Sequence, residues 1–172
     1  MAALLAHKTL YFQLETALSQ FKAIYFSNTI IPKGSLLLST EKDLQKQCDI
    51  IKSTSPHLIV VDSVNKIDQF ENGRGADVIE TKYREAIGEN GPHVIFLTHL
   101  NAQGQLKGGT SLPHMGDIVA LIKWSKKIKS GIEMTLSKTR YGTTDIKITM
   151  IHTHLGIENA EDAIDKMLEE DL

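Results

Sequence analysis

Two apolar runs without a break, "HLIVVD" at residues 57 to 62 and "HVIFLT" at 93 to 98, constrain this chain most. A strand with one face in water alternates apolar and polar residues, whereas a strand covered on both faces does not need to. Both runs therefore predict members of a parallel sheet with helices on its two sides. Shorter β-rich runs occur at 8 to 13, "KTLYFQ", and at 35 to 39, "SLLLS". Helical patterns separate them. Thr40 followed by Asp43 resembles a capping box, and the residues that follow, to about Ile51, set Leu44, Cys48 and Ile51 on one side. Residues 76 to 87, with Val78, Ile79, Tyr83 and Ile87, form a second helical stretch closed by "GENGP". Strands alternating with helices in this order define an α/β fold with right-handed crossovers.

The second half changes character. "GDIVALIKWSK", "GIEMTLSKT" and "DIKITMIHT" follow one another with tight turns at "KSG" and "RYGTTD", which predicts antiparallel strands added to the sheet. The acidic segment after Gly156 is expected to be a short helix or tail, giving one domain over 1–156 and an appendage over 157–172. At 172 residues and 41% hydrophobic content, one domain with a real core is the expectation. A net charge of −2 excludes a uniformly basic nucleic-acid coat, so contact with DNA or RNA needs a local patch. Lys123, Lys126, Lys127, Lys129, Lys138 and Arg140 against Glu133 alone make such a patch, and equally make an ordinary solvated face. Cys48 is the single cysteine, which rules out an internal disulfide or a cysteine-based zinc site and fits a reducing cytoplasm. The apolar start "MAALLAHKTLYF" is too brief for a signal peptide or a membrane helix, so a cytoplasmic location and no membrane partner are expected.

Three polar residues stand where strands should end. Asp62 closes "HLIVVD" and is placed to hold Mg²⁺, although many strand ends carry an inert acid. Glu15 follows "TLYFQL" and is either a base for a metal-side water or a carboxylate favoured by a helix N-terminus. His99 follows the strand at 93 to 98, with Thr98 beside it, and fits either a phosphate-sensing imidazole or a histidine bonded to a local carbonyl. The following loop, "NAQGQLKGGTSLP", offers Asn101, Gln103, Gln105, Lys107 and Thr110 among glycines, which suits a phosphodiester chain. In "SKTRYG", Lys138 and Arg140 alternate and so share a strand face, either to reach a neighbour's γ-phosphate or to keep an edge strand soluble.

In this order the pieces resemble the RecA-like ATPase core, specifically its RadA (Sms) recombination-repair branch, with the replicative helicase DnaB next. "THLNAQGQLKGGTSLPHMGDIV" is similar to that branch's sensor histidine, DNA-contacting loop and following strand, and "SKTRYG" to its Lys-x-Arg-aromatic-Gly signature. "LIVVDS" resembles a Walker B strand, and Glu15 falls where the family's catalytic glutamate lies. The resemblance implies ATP and Mg²⁺, with Asp62 on the metal, Thr98 at the nucleotide, Glu15 and His99 catalytic, and Lys138 and Arg140 acting in trans across a ring or filament. It also implies single-stranded DNA on the loop from Asn101, and a homo-oligomer or a complete RecA-like paralogue as partner. The implied activity is ATP-driven recombination or branch migration. A non-catalytic RecA-like binding module and a DnaB-type helicase fragment are the alternatives. One departure stands out: G-x-x-x-x-G-K-[ST] occurs nowhere, and "MAALLAH" resembles the end of the helix that follows a P-loop. Without that cradle of backbone N–H groups, ATP binding by the chain alone is expected to be weak.

Overall fold

The computed structural model describes residues 8–25, 31–71, 75–101, 114, 116–126, 128, 130–153 and 156–160. The chain divides into two compact units, Met1–Met115 and Gly116–Leu172.

In the first unit the order is β1 (Thr9–Gln13), α1 (Leu18–Tyr25), β2 (Leu36–Ser39), α2 (Leu44–Thr54), β3 (Leu58–Asp62), a 3-10 turn (Val64–Lys66), α3 (Asp68–Glu71), α4 (Gly75–Ile87) and β4 (His93–Leu97). The strands form a four-stranded sheet, order β2-β1-β3-β4, with every pairing parallel. Gln13, Asp62 and Leu97 stand opposite one another in adjacent strands, so β1, β3 and β4 finish in one row. Whatever follows those three residues leaves the sheet at the same rim.

One face of the sheet is packed by α2 and α4. Leu10, Phe12, Ile59 and Val61 are buried there with Leu44, Cys48, Ile51, Ile79 and Tyr83, and Val94 and Phe96 pack against them. Val78, expected to join Ile79 on the apolar side of α4, is exposed, and Ala76 is buried in its place. Tyr83 meets Phe96 edge-on at 5.3 Å and donates its hydroxyl to Gln47 Oε1 at 2.7 Å. On the other face, the Tyr11 ring lies 5.2 Å from Phe21 of α1. The residue that caps α2 is Asp43, whose side chain accepts from Lys46 N, so Asp43 is the cap itself and not the far member of a box begun by Thr40. Gly88, at φ +73°, closes α4 where "GENGP" predicts the stop.

Of the two unbroken apolar runs, only the first is covered on both sides: Ile59, Val60 and Val61 are all buried. In β4 the residues alternate, with Val94 and Phe96 inward and Ile95 and Leu97 exposed. That difference follows from position, since β4 is the terminal strand of this sheet among the described residues.

The second unit holds β5 (Ile118–Trp124), β6 (Gly131–Thr139), β7 (Lys147–Thr153) and β8 (Gly156–Asn159). They make their own antiparallel sheet in chain order among the described residues, where the sequence predicted additions to the parallel one. A register shift between Val119 and Ala120 bulges β6 at Ser137. Residues 157 to 159, expected in a C-terminal helix or tail, are strand paired with β7, and 161 to 172 lie outside the described residues. No helix among the described residues is long and apolar enough to cross a membrane.

Candidate nucleotide-hydrolysis site

The rim where β1, β3 and β4 end gathers the candidate residues of the first unit. At the end of β1, Gln13 is almost fully buried and its amide oxygen accepts from the N–H groups of Glu15 (3.0 Å) and Thr16 (3.3 Å). Leu14 N donates to Asp62 O at 2.7 Å, tying the exit of β1 to the end of β3. Together these bonds turn the chain sharply and set Glu15 above the rim.

The Glu15 carboxylate receives two side chains on one atom. Ser63 Oγ, from the residue after β3, donates to Oε1 at 2.5 Å, and His99 Nε2 lies 3.0 Å from the same oxygen. The Ser63 hydroxyl, above all, holds this carboxyl below its ordinary range; burial works the other way, and the His99 imidazole and the Lys66 charge add to the lowering. Glu15 is therefore ionised at neutral pH. An ionised carboxylate only accepts, so His99 Nε2 carries the proton in this contact. Oε2 accepts no hydrogen bond among the described residues, which makes it the oxygen able to take a proton from a water.

Asp62 is held by a residue that the sequence reading missed. Tyr11 Oη donates to Asp62 Oδ2 at 2.8 Å. Tyr11 is opposite Val60 in the register, two residues before the Gln13–Asp62 pair, so the phenol and the carboxylate share a face. Strand parity was the one signal able to reveal it. Oδ1 accepts no hydrogen bond among the described residues. The described residues contain no cluster of three or more His, Cys, Asp or Glu suited to a metal. One carboxylate oxygen at a rigid strand end still suits Mg²⁺, which keeps several waters and takes one or two carboxylates together with substrate phosphates.

Thr98 stands at the same rim, where its Oγ1 donates to Asn65 Oδ1 at 2.7 Å. The same Asn65 oxygen accepts from His99 N at 3.3 Å. Asn65, like Tyr11, Gln13 and Ser63, is a residue the sequence reading passed over. Asn101 is a half-buried loop residue. Gln103, Gln105, Lys107 and Thr110 lie outside the described residues.

Lys138 and Arg140 belong to the second unit. Lys138 sits in β6 opposite Val119, and Arg140 follows the end of that strand. The Arg140 guanidinium pairs with Asp117 Oδ1 at 3.1 Å, and Arg140 N donates to Asp117 O at 2.9 Å. Both side chains of the pair are about half exposed, so the ion pair is worth well under about 1 kcal/mol and is easily exchanged for another anion.

The fold these elements define is RecA-like: a parallel α/β sheet of four strands with an antiparallel sheet from the C-terminal half. Among solved structures, the chain is similar to the RadB recombinase, with a TM-score of 0.62 and 16% identity over 91% of this chain and 81% of that one. It is similar also to a KaiC-like protein from the hyperthermophilic archaeon Pyrococcus horikoshii, with a TM-score of 0.67 and 14% identity over 89% of this chain and 75% of that one. No protein-family model and no curated protein matches the sequence.

Proposed function

We propose that the chain is the hydrolytic core of a RecA-like, ATP-driven DNA recombination motor of the RadA kind. The observation that carries this reading is the convergence of Glu15, Ser63 and His99 on one carboxylate oxygen at the rim where Asp62 also stands. Glu15 orients and deprotonates the attacking water through Oε2. Asp62 is the carboxylate offered to Mg²⁺, which when bound neutralises charge on the substrate's phosphates. His99, already on Glu15, exchanges that partner for a phosphate oxygen and so reports nucleotide state to the loop beginning at Asn101, the proposed contact with single-stranded DNA. Lys138 and Arg140 serve a neighbouring subunit's γ-phosphate in a ring or filament, Arg140 releasing Asp117 to do so.

The residues fit the hydrolytic half of such a site and not its phosphate cradle, because the sequence has no Walker A motif. Turnover thus requires a cradle supplied by an upstream segment or by a partner. The test is ATP hydrolysis by the chain mixed with a Walker A polypeptide, with and without single-stranded DNA. DNA-stimulated turnover that disappears in Asp62→Ala supports the proposal; turnover that stays absent in the mixture, or survives that change, refutes it.

A second reading is a non-catalytic RecA-like module that binds DNA or caps a ring of a complete paralogue. It predicts DNA or partner binding unchanged by Asp62→Ala or Glu15→Gln. A DnaB-type helicase core is separated from both by unwinding of a forked duplex.

A further inference from the structure

β1 and β4 are not neighbours. β3 lies between them, so their backbones are about 10 Å apart at the usual strand spacing. Glu15 and His99 nonetheless meet at 3.0 Å, so the chain leaving each strand directs its side chain across the end of β3. On the β1 side, the Gln13 amide and the Leu14 bond to Asp62 O impose that course. On the β4 side the ladder with β3 stops at the Asp62–Leu97 pair, and Thr98 and His99 lie beyond it.

We propose that Asn65 is the positioning residue that supplies this course for His99, its side-chain oxygen replacing the missing ladder bond and steering the imidazole onto Glu15. The inference rests on the reading of Glu15 and His99 as a working pair. Asn65 is well founded for the task. It occupies the 3-10 turn after β3, which is closed by Lys66 N to Ser63 O (3.0 Å) and Ile67 N to Val64 O (3.2 Å). Val64 and Ile67, on either side of Asn65 and its neighbour Lys66, are fully buried and anchor the turn in the core. From that base Asn65 Oδ1 accepts the Thr98 hydroxyl at 2.7 Å and the His99 N–H at 3.3 Å, the hydroxyl being the tighter anchor. Two residues earlier in the same turn, Ser63 binds the Glu15 carboxylate. One short segment after β3 thus grips both partners, Ser63 by the carboxylate of one and Asn65 by the backbone of the other. An amide suits this role, since one neutral oxygen can accept two donors without adding charge beside Glu15.

The test is long-range ¹H–¹⁵N NMR of the full chain labelled at histidine, with the His99 signals among the seven histidines assigned by their loss in His99→Gln. Glu15→Ala defines the spectrum of an unpaired His99. Asn65→Ala is expected to shift the Nε2 resonance to that unpaired position, and Asn65→Asp, which keeps an acceptor oxygen but adds a charge, to return it only part of the way to the wild-type position. A loss of stability alone would move neither. A wild-type Nε2 position in Asn65→Ala, with Glu15→Ala clearly shifted, overturns the role of Asn65 alone. An unshifted Glu15→Ala overturns the pairing beneath it as well. If Asn65→Ala fails to fold, Thr98→Val, which removes the tighter bond, carries the same expectation, and an unmoved Nε2 resonance there overturns the proposal.

Discussion

Removing the Tyr83 hydroxyl should destabilise the first unit by about 1–3 kcal/mol. Tyr83 and Gln47 are both buried to 2% exposure or less, and the phenol donates to the amide oxygen at 2.7 Å. Tyr83→Phe keeps the ring against Phe96 and creates no cavity, so the loss is the desolvation of an orphaned amide oxygen, about 1–3 kcal/mol. Gln47→Leu orphans the phenol instead, and also frees Glu41 O, to which Gln47 Nε2 donates at 2.6 Å. Combining the two changes removes donor and acceptor together, so the double variant should cost less than the sum of the singles by at least about 0.5 kcal/mol. The assay is urea unfolding followed by circular dichroism at 222 nm, because the described helices of eight or more residues all lie in the first unit. The single tryptophan, Trp124, is in the second unit and would report the wrong transition. Additive costs, or a Tyr83→Phe variant as stable as the parent, would refute the buried bond.

Burial, and secondarily the nearby Cys48, pushes the Tyr83 hydroxyl far above the ordinary tyrosine range. The folded chain keeps this proton where the unfolded chain loses it, so stability should fall as pH rises above about 10, and this slope should vanish in Tyr83→Phe. Ser63→Ala should cost roughly 1.5 kcal/mol at pH 7, the low end for a bond to a charged group. Glu15, whose carboxyl is held low chiefly by Ser63, contributes that stability above the ordinary glutamate range and loses it as pH falls; urea midpoints at pH 7 and pH 3 should therefore converge between parent and variant. Arg140→Ala should change thermal stability by less than about 1 kcal/mol, since its pairing with Asp117 is exposed, while abolishing DNA-stimulated turnover in the Walker A mixture. A large stability loss would reassign Arg140 to a structural role.

The sheet was legible because uninterrupted apolar runs have few ways to be buried. "HLIVVD" and "HVIFLT" mark two adjacent parallel strands, and the polar residues that stop them, Asp62 and His99, follow directly at the rim. That β4 buries only one face was not legible, because a terminal strand and a central one have the same composition. The separate antiparallel sheet was hidden for the same reason: the strands are local features, and the partners of an edge strand are not. Within the site, charged or ionisable ends of strands stand out, whereas Gln13 is a neutral strand end and Ser63 and Asn65 are neutral residues at a short turn, none with a periodic signal. Asn65 meets residues 33 and 34 positions away and Ser63 meets one 48 away, contacts that only the folded register creates. Tyr11 reads as one more β-forming aromatic until the pairing with β3 puts Asp62 on its face.

The role proposed for Glu15, held by Ser63 and His99 at the shared rim, is to activate the water in ATP hydrolysis. Single-turnover hydrolysis by the chain in the presence of a Walker A polypeptide and single-stranded DNA, comparing the parent with Glu15→Gln, tests it most directly. A fall of about 10²–10⁴-fold in the hydrolysis rate with nucleotide binding retained is expected, the range for loss of a general base. Hydrolysis at the parent rate in Glu15→Gln would contradict it.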